Sequence, residues 1–171
     1  MKELTYCPKC GETSLVWDNS KQLSCETCDF VLFHNCAAAV AVIIKHGDEI
    51  MLTRRNQEPK KGKLDLAGGF VDPCESAETT CERELYEELK LEIDKKQLKI
   101  LSTQPNIYHY KGIDYNTLDI FFEYHLTKKT NLHLELSEIS EVVWLNPKNL
   151  KIEDIAFDSQ KRFFEKYIEN L

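Results

Sequence analysis

The sequence predicts an α/β sandwich preceded by a small β unit. Its 171 residues are enough for one full core and a small appendage. Runs with the β-branched and apolar pattern of strands are interspersed with two amphipathic helical stretches, which indicates an α/β sandwich. The first 34 residues differ, because two closely spaced pairs of cysteines dominate them. We therefore predict two domains, residues 1–34 and residues 35–171.

The composition is typical of a soluble globular protein, with 42% hydrophobic and 30% charged residues. The longest apolar run, residues 36–44, is too short to cross a bilayer, and the N-terminus lacks the apolar core of a signal peptide. We expect a cytoplasmic location and no membrane partner. The net charge of −7 argues against a nucleic-acid partner but allows a small phosphorylated ligand, because bound divalent cations reverse the local sign.

The cysteine spacing in the first unit is that of a structural metal site. Cys7 and Cys10 form one CxxC pair, and Cys25 and Cys28 form a second after fourteen residues. Two such turns supply four thiolates to one tetrahedral Zn²⁺. Two disulfides or a redox pair are the alternatives, but a redox site needs one pair only and the cytoplasm disfavours disulfides. We predict a zinc ribbon, and we expect the remaining cysteines to be small packing residues: Cys36, Cys74 and Cys81.

Strand and helix patterns follow in a regular order. The ribbon is expected to contain short strands at residues 13–17, 21–24 and 30–33. A continuous apolar run at 36–45 predicts a buried strand, which a turn at 46–48 joins to a second strand as a hairpin. Further strands are predicted within 64–71 and at 97–104, 116–126 and 141–145, with loops at 56–63 and 104–115 and a C-terminal helix at 158–170.

A central helix is predicted to begin near Glu75, with Ser76 as its cap residue. Its core stripe recurs every four residues, at Ala77, Cys81, Leu85 and Leu89.

Acidic residues crowd one face of this helix, just after a Gly-Gly turn. Glu84, Glu87 and Glu88 stand at i, i+3 and i+4 and therefore share a face. Like charges at this spacing destabilise a bare helix unless a cation offsets them, and clustered hard oxygens suit Mg²⁺ or Mn²⁺. The alternative is a solvated Glu-rich helix, but such helices usually interleave Lys, and residues 75–89 contain one Arg and no Lys.

This stretch resembles the box of the Nudix hydrolases. Gly69, five residues, Glu75, seven residues and then residues 83–88 (RELYEE) match it in order, and residues 62–70 resemble the strand and turn that enter it. Lys90 departs from the pattern, because the family usually has Gly there. The resemblance implies an α/β/α sandwich with a mixed sheet.

The resemblance also implies roles for individual residues. Glu84, Glu87 and Glu88 would hold the catalytic Mg²⁺ or Mn²⁺, and Arg83 would orient a carboxylate by ion pairing. A later acidic residue would reach back to the metals. Glu138 is the first choice and Glu141 the second, and for either one a solvated loop carboxylate is the alternative.

Substrate contacts are expected from three places. The Gly68-Gly69 turn lets the backbone approach a ligand closely. Of Arg54 and Arg55, one would face phosphate and the other would be a surface charge, since adjacent strand residues face opposite ways. Three tyrosines either stack on an adenine or flavin ring or pack a sheet edge: Tyr108, Tyr110 and Tyr115.

The reaction implied is metal-dependent hydrolysis of the pyrophosphate in a nucleoside diphosphate linked to a group X, which releases a nucleoside monophosphate. A zinc ribbon before the box resembles the NADH pyrophosphatase-like branch, although residues 102–108 keep only part of that branch's array. Residues 155–159 resemble relatives that cleave FAD and ADP-ribose instead. The alternative is a non-catalytic nucleotide-sensing or nucleic-acid-binding module, but such sensors commonly lose box carboxylates, and this chain keeps them. The ribbon would be structural or would help to form a homodimer.

Overall fold

The structure, a computed structural model, describes residues 4–171. The chain divides into two compact units, one that ends at Cys36 and one from Ala37 to Leu171. Among the residues described, no helix combines the length and the apolar character needed to cross a membrane.

The first unit is a three-stranded antiparallel sheet with a very small core. The strands lie in the order β1 (Leu15–Trp17), β2 (Gln22–Cys25) and β3 (Val31–Phe33). The Asp18 side chain accepts hydrogen bonds from the backbone N–H groups that follow it and so shapes the turn between β1 and β2. The buried hydrophobic cluster contains two leucines and two cysteines: Cys7, Leu15, Leu23 and Cys25.

The second unit contains a six-stranded mixed sheet and two helices. The strands are β4 (Ala37–His46), β5 (Glu49–Arg55), β6 (Leu64–Asp65), β7 (Lys99–Tyr110), β8 (Ile113–His125) and β9 (Ile139–Leu145). The helices are α1 (Ala77–Leu89) and α2 (Asp158–Glu169). The sheet order is β6-β5-β4-β8-β7, and β9 pairs with β5. The β4–β8 pair is parallel and the others are antiparallel, including the predicted β4–β5 hairpin.

Each face of the sheet carries its own core. Val40, Val42 and Ile44 pack in the cluster that includes α1, whereas Ala41 and Ile43 pack in the cluster that includes α2. Because helices cover β4 on both sides, this strand is apolar from Ala37 to Ile44 and does not alternate there. The predicted α/β/α sandwich with a mixed sheet is confirmed.

Helix α1 is capped at both ends by identifiable groups. The Ser76 side chain accepts a hydrogen bond from the Thr79 backbone N–H at 3.2 Å, as the predicted cap residue should. Lys90 ends the helix in the left-handed conformation (φ 51°), with its N–H bonded to the Tyr86 carbonyl. The lysine therefore occupies a backbone position that suits Gly, and the helix still ends there.

The structure corrects two expectations. Residues 104–115 are not a loop: β7 continues to Tyr110 and β8 begins at Ile113. Pro105 falls within this segment, but β7 lies at the edge of the sheet, where a strand tolerates the missing N–H. In addition, of the three cysteines expected to pack in cores only Cys81 is buried, because Cys36 precedes β4 and Cys74 lies in an exposed turn with φ 71°.

Candidate active site

A cavity of about 410 Å³ opens in the second unit, where the start of β4, residues 65–72, α1 and the start of α2 meet. Its wall combines carboxylates from α1 with aromatic and polar groups from β7, β8 and the start of α2. A volume of this size is within the range of small-molecule and cofactor pockets.

The Gly68-Gly69 turn forms one edge of the cavity, and a side chain at either position would meet a neighbouring group. A Cβ on Gly68 would lie 2.1 Å from the Val40 carbonyl oxygen, and its φ of +149° also disfavours other residues. A Cβ on Gly69 would lie 2.3 Å from Glu84 Oε1. Gly68 therefore lets the turn approach the backbone of β4 closely, and Gly69 lets the Glu84 carboxylate approach the turn.

The three predicted metal-binding glutamates all border the cavity but differ in burial. Glu87 is 57% exposed, whereas Glu84 and Glu88 are both partly buried. The Gly68 N–H donates to Glu88 Oε2 at 3.3 Å. Burial raises the pKa of Glu84. Burial, followed by the nearby charges of Asp65 and Glu84, raises the pKa of Glu88 well above its ordinary value.

Arg83 ties these carboxylates together. Its guanidinium donates to Glu75 at 3.0 Å, to Glu84 at 2.7 Å and to Glu87 at 3.2 Å, and also to the Phe70 carbonyl. The hydrogen bonds from Arg83 lower the pKa of Glu75 to about 2. Glu75 therefore anchors the arginine, and the arginine in turn holds two of the cavity glutamates.

The structure separates the two candidates for the later acidic residue. Glu138 borders the cavity and accepts a hydrogen bond from Gln57 Nε2 at 2.9 Å, and its charge contributes to the raised pKa of Glu88. Glu141 instead pairs with Arg54 at 2.5 Å in an exposed position. The geometry thus brings Glu138 to the carboxylate cluster and directs Glu141 to another ion pair.

Arg54 and Arg55 have different surroundings, as the alternation of a strand requires. Arg55 borders the cavity, donates to Asp65 at 2.7 Å and lies 5.0 Å from the centre of the Phe157 ring. A register shift between β5 and β9 falls between the two arginines. Arg55 is therefore the one available to face a ligand.

The tyrosines form an aromatic group beside the cavity. Tyr108 belongs to the cavity wall, 5.6 Å from the Phe70 ring and 5.9 Å from the Phe157 ring between centroids. Tyr110 stacks on Tyr108 at 6.1 Å, and Tyr115 pairs with Tyr108 across the strands. In the described cavity wall Tyr108 is present, whereas Tyr110 and Tyr115 are not.

Sequence reasoning missed part of the wall. The overlooked residues include Asp65, Thr117, Asp119 and Gln160. A usable signal existed for Asp119, because it is the one charged residue in the apolar run of residues 118–122. A lone carboxylate in a buried strand requires partners, which makes it a candidate functional group.

The four cysteines of the first unit form a second candidate metal site. Their sulfur atoms all lie within 4.8 Å of one another, with Cys7 and Cys28 separated by 3.8 Å and Cys10 and Cys25 by 3.7 Å. In a tetrahedral site with Zn–S bonds of about 2.3 Å, neighbouring sulfurs lie about 3.8 Å apart. A hydrogen bond from the Ser14 hydroxyl lowers the pKa of Cys25 to about 6, whereas desolvation and hydrogen bonds with the other three thiols raise the pKa of Cys10 to about 12. The group could therefore hold a metal ion.

Comparison with known proteins identifies the family. The profile of the NUDIX domain matches residues 34–167. The chain belongs to the NUDIX domain family. The prediction made from the box is thereby confirmed.

Individual relatives agree with this assignment. The chain is 30% identical over 105 residues to the NAD-capped RNA hydrolase NudC of Pseudomonas syringae pv. tomato, an alignment that covers 60% of this chain and 36% of the relative. The chain spans about a third of the length of the curated relatives it matches.

Solved NUDIX structures share the fold. A NUDIX hydrolase from Nitrosomonas europaea superposes with a TM-score of 0.64 at 20% identity, covering 97% of this chain and 93% of that one. The NUDIX domain of Shewanella oneidensis NrtR, complexed with ADP ribose, superposes with a TM-score of 0.62 at 21% identity, covering 81% of this chain and 90% of that one.

Proposed function

We propose that the protein hydrolyses the pyrophosphate of a nucleoside diphosphate linked to a group X, of the ADP-ribose, FAD or NAD(H) type, and releases a nucleoside monophosphate. The reaction would depend on Mg²⁺ or Mn²⁺. The proposal rests on the family of the chain and on the carboxylates that border the cavity.

The observation that carries the proposal is the position of Glu88. Its side chain is partly buried, and desolvation followed by the neighbouring charges of Asp65, Glu84 and Glu138 raises its pKa well above the ordinary value. A buried carboxylate surrounded by like charges is costly unless a cation joins them. A cavity built in this way suits a divalent metal ion better than a neutral ligand.

The donor set also fits such an ion. Hard carboxylate oxygens from Glu84, Glu87 and Glu88 are the ligand type that Mg²⁺ and Mn²⁺ prefer, and the space beside Glu84 would be filled by a Cβ on Gly69. When bound there, the ion would polarise a phosphate oxygen and lower the pKa of water.

The other residues would position the reacting groups. Arg83 holds Glu84 and Glu87 in place, so that these carboxylates do not have to reorganise when the substrate enters. Arg55 would lie against a substrate phosphate, and Glu138 would supply a further acceptor at the cavity wall.

Two relatives support a nucleotide as the substrate. NudC of P. syringae is named as an NAD-capped RNA hydrolase, and the NrtR NUDIX domain is complexed with ADP ribose. Because these names belong to other proteins, the choice among nucleotides for this chain rests on experiment.

The test is a substrate screen with the purified full chain and either Mg²⁺ or Mn²⁺. We expect release of AMP from at least one of ADP-ribose, FAD and NADH, and a loss of at least 100-fold in kcat/KM for Glu87→Gln. Glu82→Gln is the matched control, because this glutamate lies on the same helix but pairs with Lys95. Absence of AMP release from the whole panel would contradict the proposal, and binding without release would favour the sensing alternative.

We also propose that residues 1–34 form a structural zinc ribbon and residues 35–171 the NUDIX domain. The spacing of the four sulfur atoms supports zinc as the ion. The homodimer and the cytoplasmic location stay predictions.

A further inference from the structure

A buried hydrogen-bonded group that the proposed reaction does not use forms part of the cavity wall. The Thr117 hydroxyl donates to Asp119 Oδ1 at 2.7 Å, and the Ser159 hydroxyl donates to Asp119 Oδ2 at 2.5 Å. All three residues are buried, and Thr117 and Asp119 border the cavity. The two hydroxyl groups come from different elements, so that the end of the cavity next to Asp119 has a fixed shape.

The hydrogen-bonding capacity of Asp119 is only partly used. Each carboxylate oxygen accepts up to two hydrogen bonds, and each receives one here from a hydroxyl group. An acceptor at the wall of a cavity favours a ligand that offers a donor. It penalises a ligand with a carbonyl or carboxylate at the same point, because two acceptors would then face each other without water.

Aromatic groups share the cavity wall with this acceptor. Phe157 lies two residues before Ser159 and contacts the Tyr108 ring, which in turn contacts Phe70. Asn106 also borders the cavity and pairs with Thr117 across the strands. A flat ring that stacks on the Tyr108 and Phe157 side chains would therefore direct one of its edges towards the Asp119 end of the cavity.

We propose that Asp119 is a specificity-determining residue that selects a ring with an exocyclic NH₂ group, as found on adenine and on the carboxamide of nicotinamide. Rings with oxygen at that point, such as hypoxanthine or nicotinic acid, are rejected. The substrate class in this inference rests on the proposed function, but the selection of the ring by Asp119 depends on binding alone.

The test compares NAD with two analogues, one with hypoxanthine in place of adenine and one with nicotinic acid in place of nicotinamide. We expect at least one replacement to lower kcat/KM by tenfold or more, and the affected analogue identifies which ring lies beside Asp119. In Asp119→Asn the preference should fall to threefold or less, because the amide NH₂ of Asn donates to a carbonyl oxygen. Equal rates on all three compounds with the wild-type protein would overturn the inference and leave the proposed hydrolysis intact.

A binding experiment separates this inference from the hydrolysis itself. Calorimetric titration without divalent metal should give a Kd at least tenfold lower for AMP than for IMP, or for nicotinamide mononucleotide than for nicotinic acid mononucleotide. If no compound is hydrolysed but this difference is found, the proposed reaction fails and the selection by Asp119 stands. If neither pair differs in Kd, the selection fails.

Two further variants control for folding. Asp114→Asn changes an exposed aspartate of the same strand, so it should retain the wild-type preference. Ser159→Ala removes one hydroxyl that positions Asp119 and should reduce the preference by at least threefold, even if Asp119→Asn is too unstable to purify. An unchanged preference in a folded Asp119→Asn or Ser159→Ala protein would contradict the inference.

Discussion

The two candidate metal sites of this chain are built in opposite ways. In the first unit, four sulfur atoms lie within 4.8 Å of one another and the buried hydrophobic cluster around them is very small. In the second unit, the carboxylates border a cavity in a sandwich with a core on each face of its sheet. Among residues 4–171, no cluster of three or more carboxylates brings its oxygen atoms as close together as the four cysteines bring their sulfur atoms.

This difference indicates what each ion would contribute. A unit without a sizeable core gains its stability from the metal, so its ligands have to be at bonding distance. A sandwich with two cores folds without help, and its carboxylates can remain partly separated, with an arginine between them. We therefore expect the thiolate site to stabilise structure and the carboxylate site to bind a substrate and its ion.

The largest effect on stability is expected from loss of the proposed zinc ion in the first unit. Structural Zn²⁺ contributes on the order of 10 kcal/mol in small zinc domains, more than a four-residue core can replace. We expect Cys25→Ser to lose zinc and to abolish amide-exchange protection in β1 to β3, with little change in β4 to β9. Metal analysis and hydrogen exchange measure this outcome.

Cys74→Ser is the matched control, because Cys74 is an exposed cysteine outside the cluster. If Cys25→Ser retained zinc and protection, the first unit would not depend on the metal.

Most of the fold could be predicted from sequence, but only part of the cavity wall could. Helix α1 and its glutamates follow a local pattern, so spacing was sufficient. The Asp119–Ser159 contact joins residues forty positions apart, and sequence spacing carries no information on such a pair. The choice between Arg54 and Arg55 likewise depended on the register between β5 and β9, which becomes visible only in the folded sheet.

The two adjacent glycines should separate stability from activity. Gly68→Ala places a Cβ against the Val40 backbone in a conformation that disfavours side chains, and we expect a loss of about 3 kcal/mol in the free energy of unfolding. Gly69→Ala places its Cβ against the end of the Glu84 side chain, which can move. The fold should then remain stable, while displacement of Glu84 lowers kcat/KM about 100-fold.

Urea denaturation and initial rates on the same preparations test this pair. A Gly69→Ala protein with wild-type activity would mean that the position of Glu84 beside the turn is unimportant for the reaction.

A smaller effect is expected from the pH dependence of Glu88 in metal-free buffer. Because burial raises the pKa of Glu88 above 4.5, the folded protein binds one proton more than the unfolded chain over the interval between the two pKa values. The contribution of this group to stability is complete below about pH 4.5 and is lost as pH rises through the folded pKa. Glu88→Gln does not titrate, so its stability relative to wild type should increase with pH and then level off.

Saturating Mg²⁺ should reduce the difference in stability between Glu88→Gln and the wild type, because the ion offsets the buried charge in the wild-type protein only. Denaturation curves of both proteins from pH 4 to 8, with EDTA or with Mg²⁺, provide the measurement. If the difference in unfolding free energy between the two proteins were constant with pH, ionisation of Glu88 would not destabilise the metal-free fold.

The smallest effect is expected at Arg54, which marks the boundary of the carboxylate site. Its ion pair with Glu141 is exposed, and exposed pairs contribute about 1 kcal/mol or less. Arg54→Ala should therefore change both the unfolding free energy and kcat/KM very little. Arg55→Ala should lower kcat/KM at least tenfold. It should also destabilise the protein, because loss of Arg55 leaves the buried Asp65 without its cation. Parallel denaturation and rate measurements on the two variants make the comparison. Equal effects would mean that the cavity extends past Arg55 to the Arg54–Glu141 pair, and that the later acidic residue has to be sought at Glu141 as well as at Glu138.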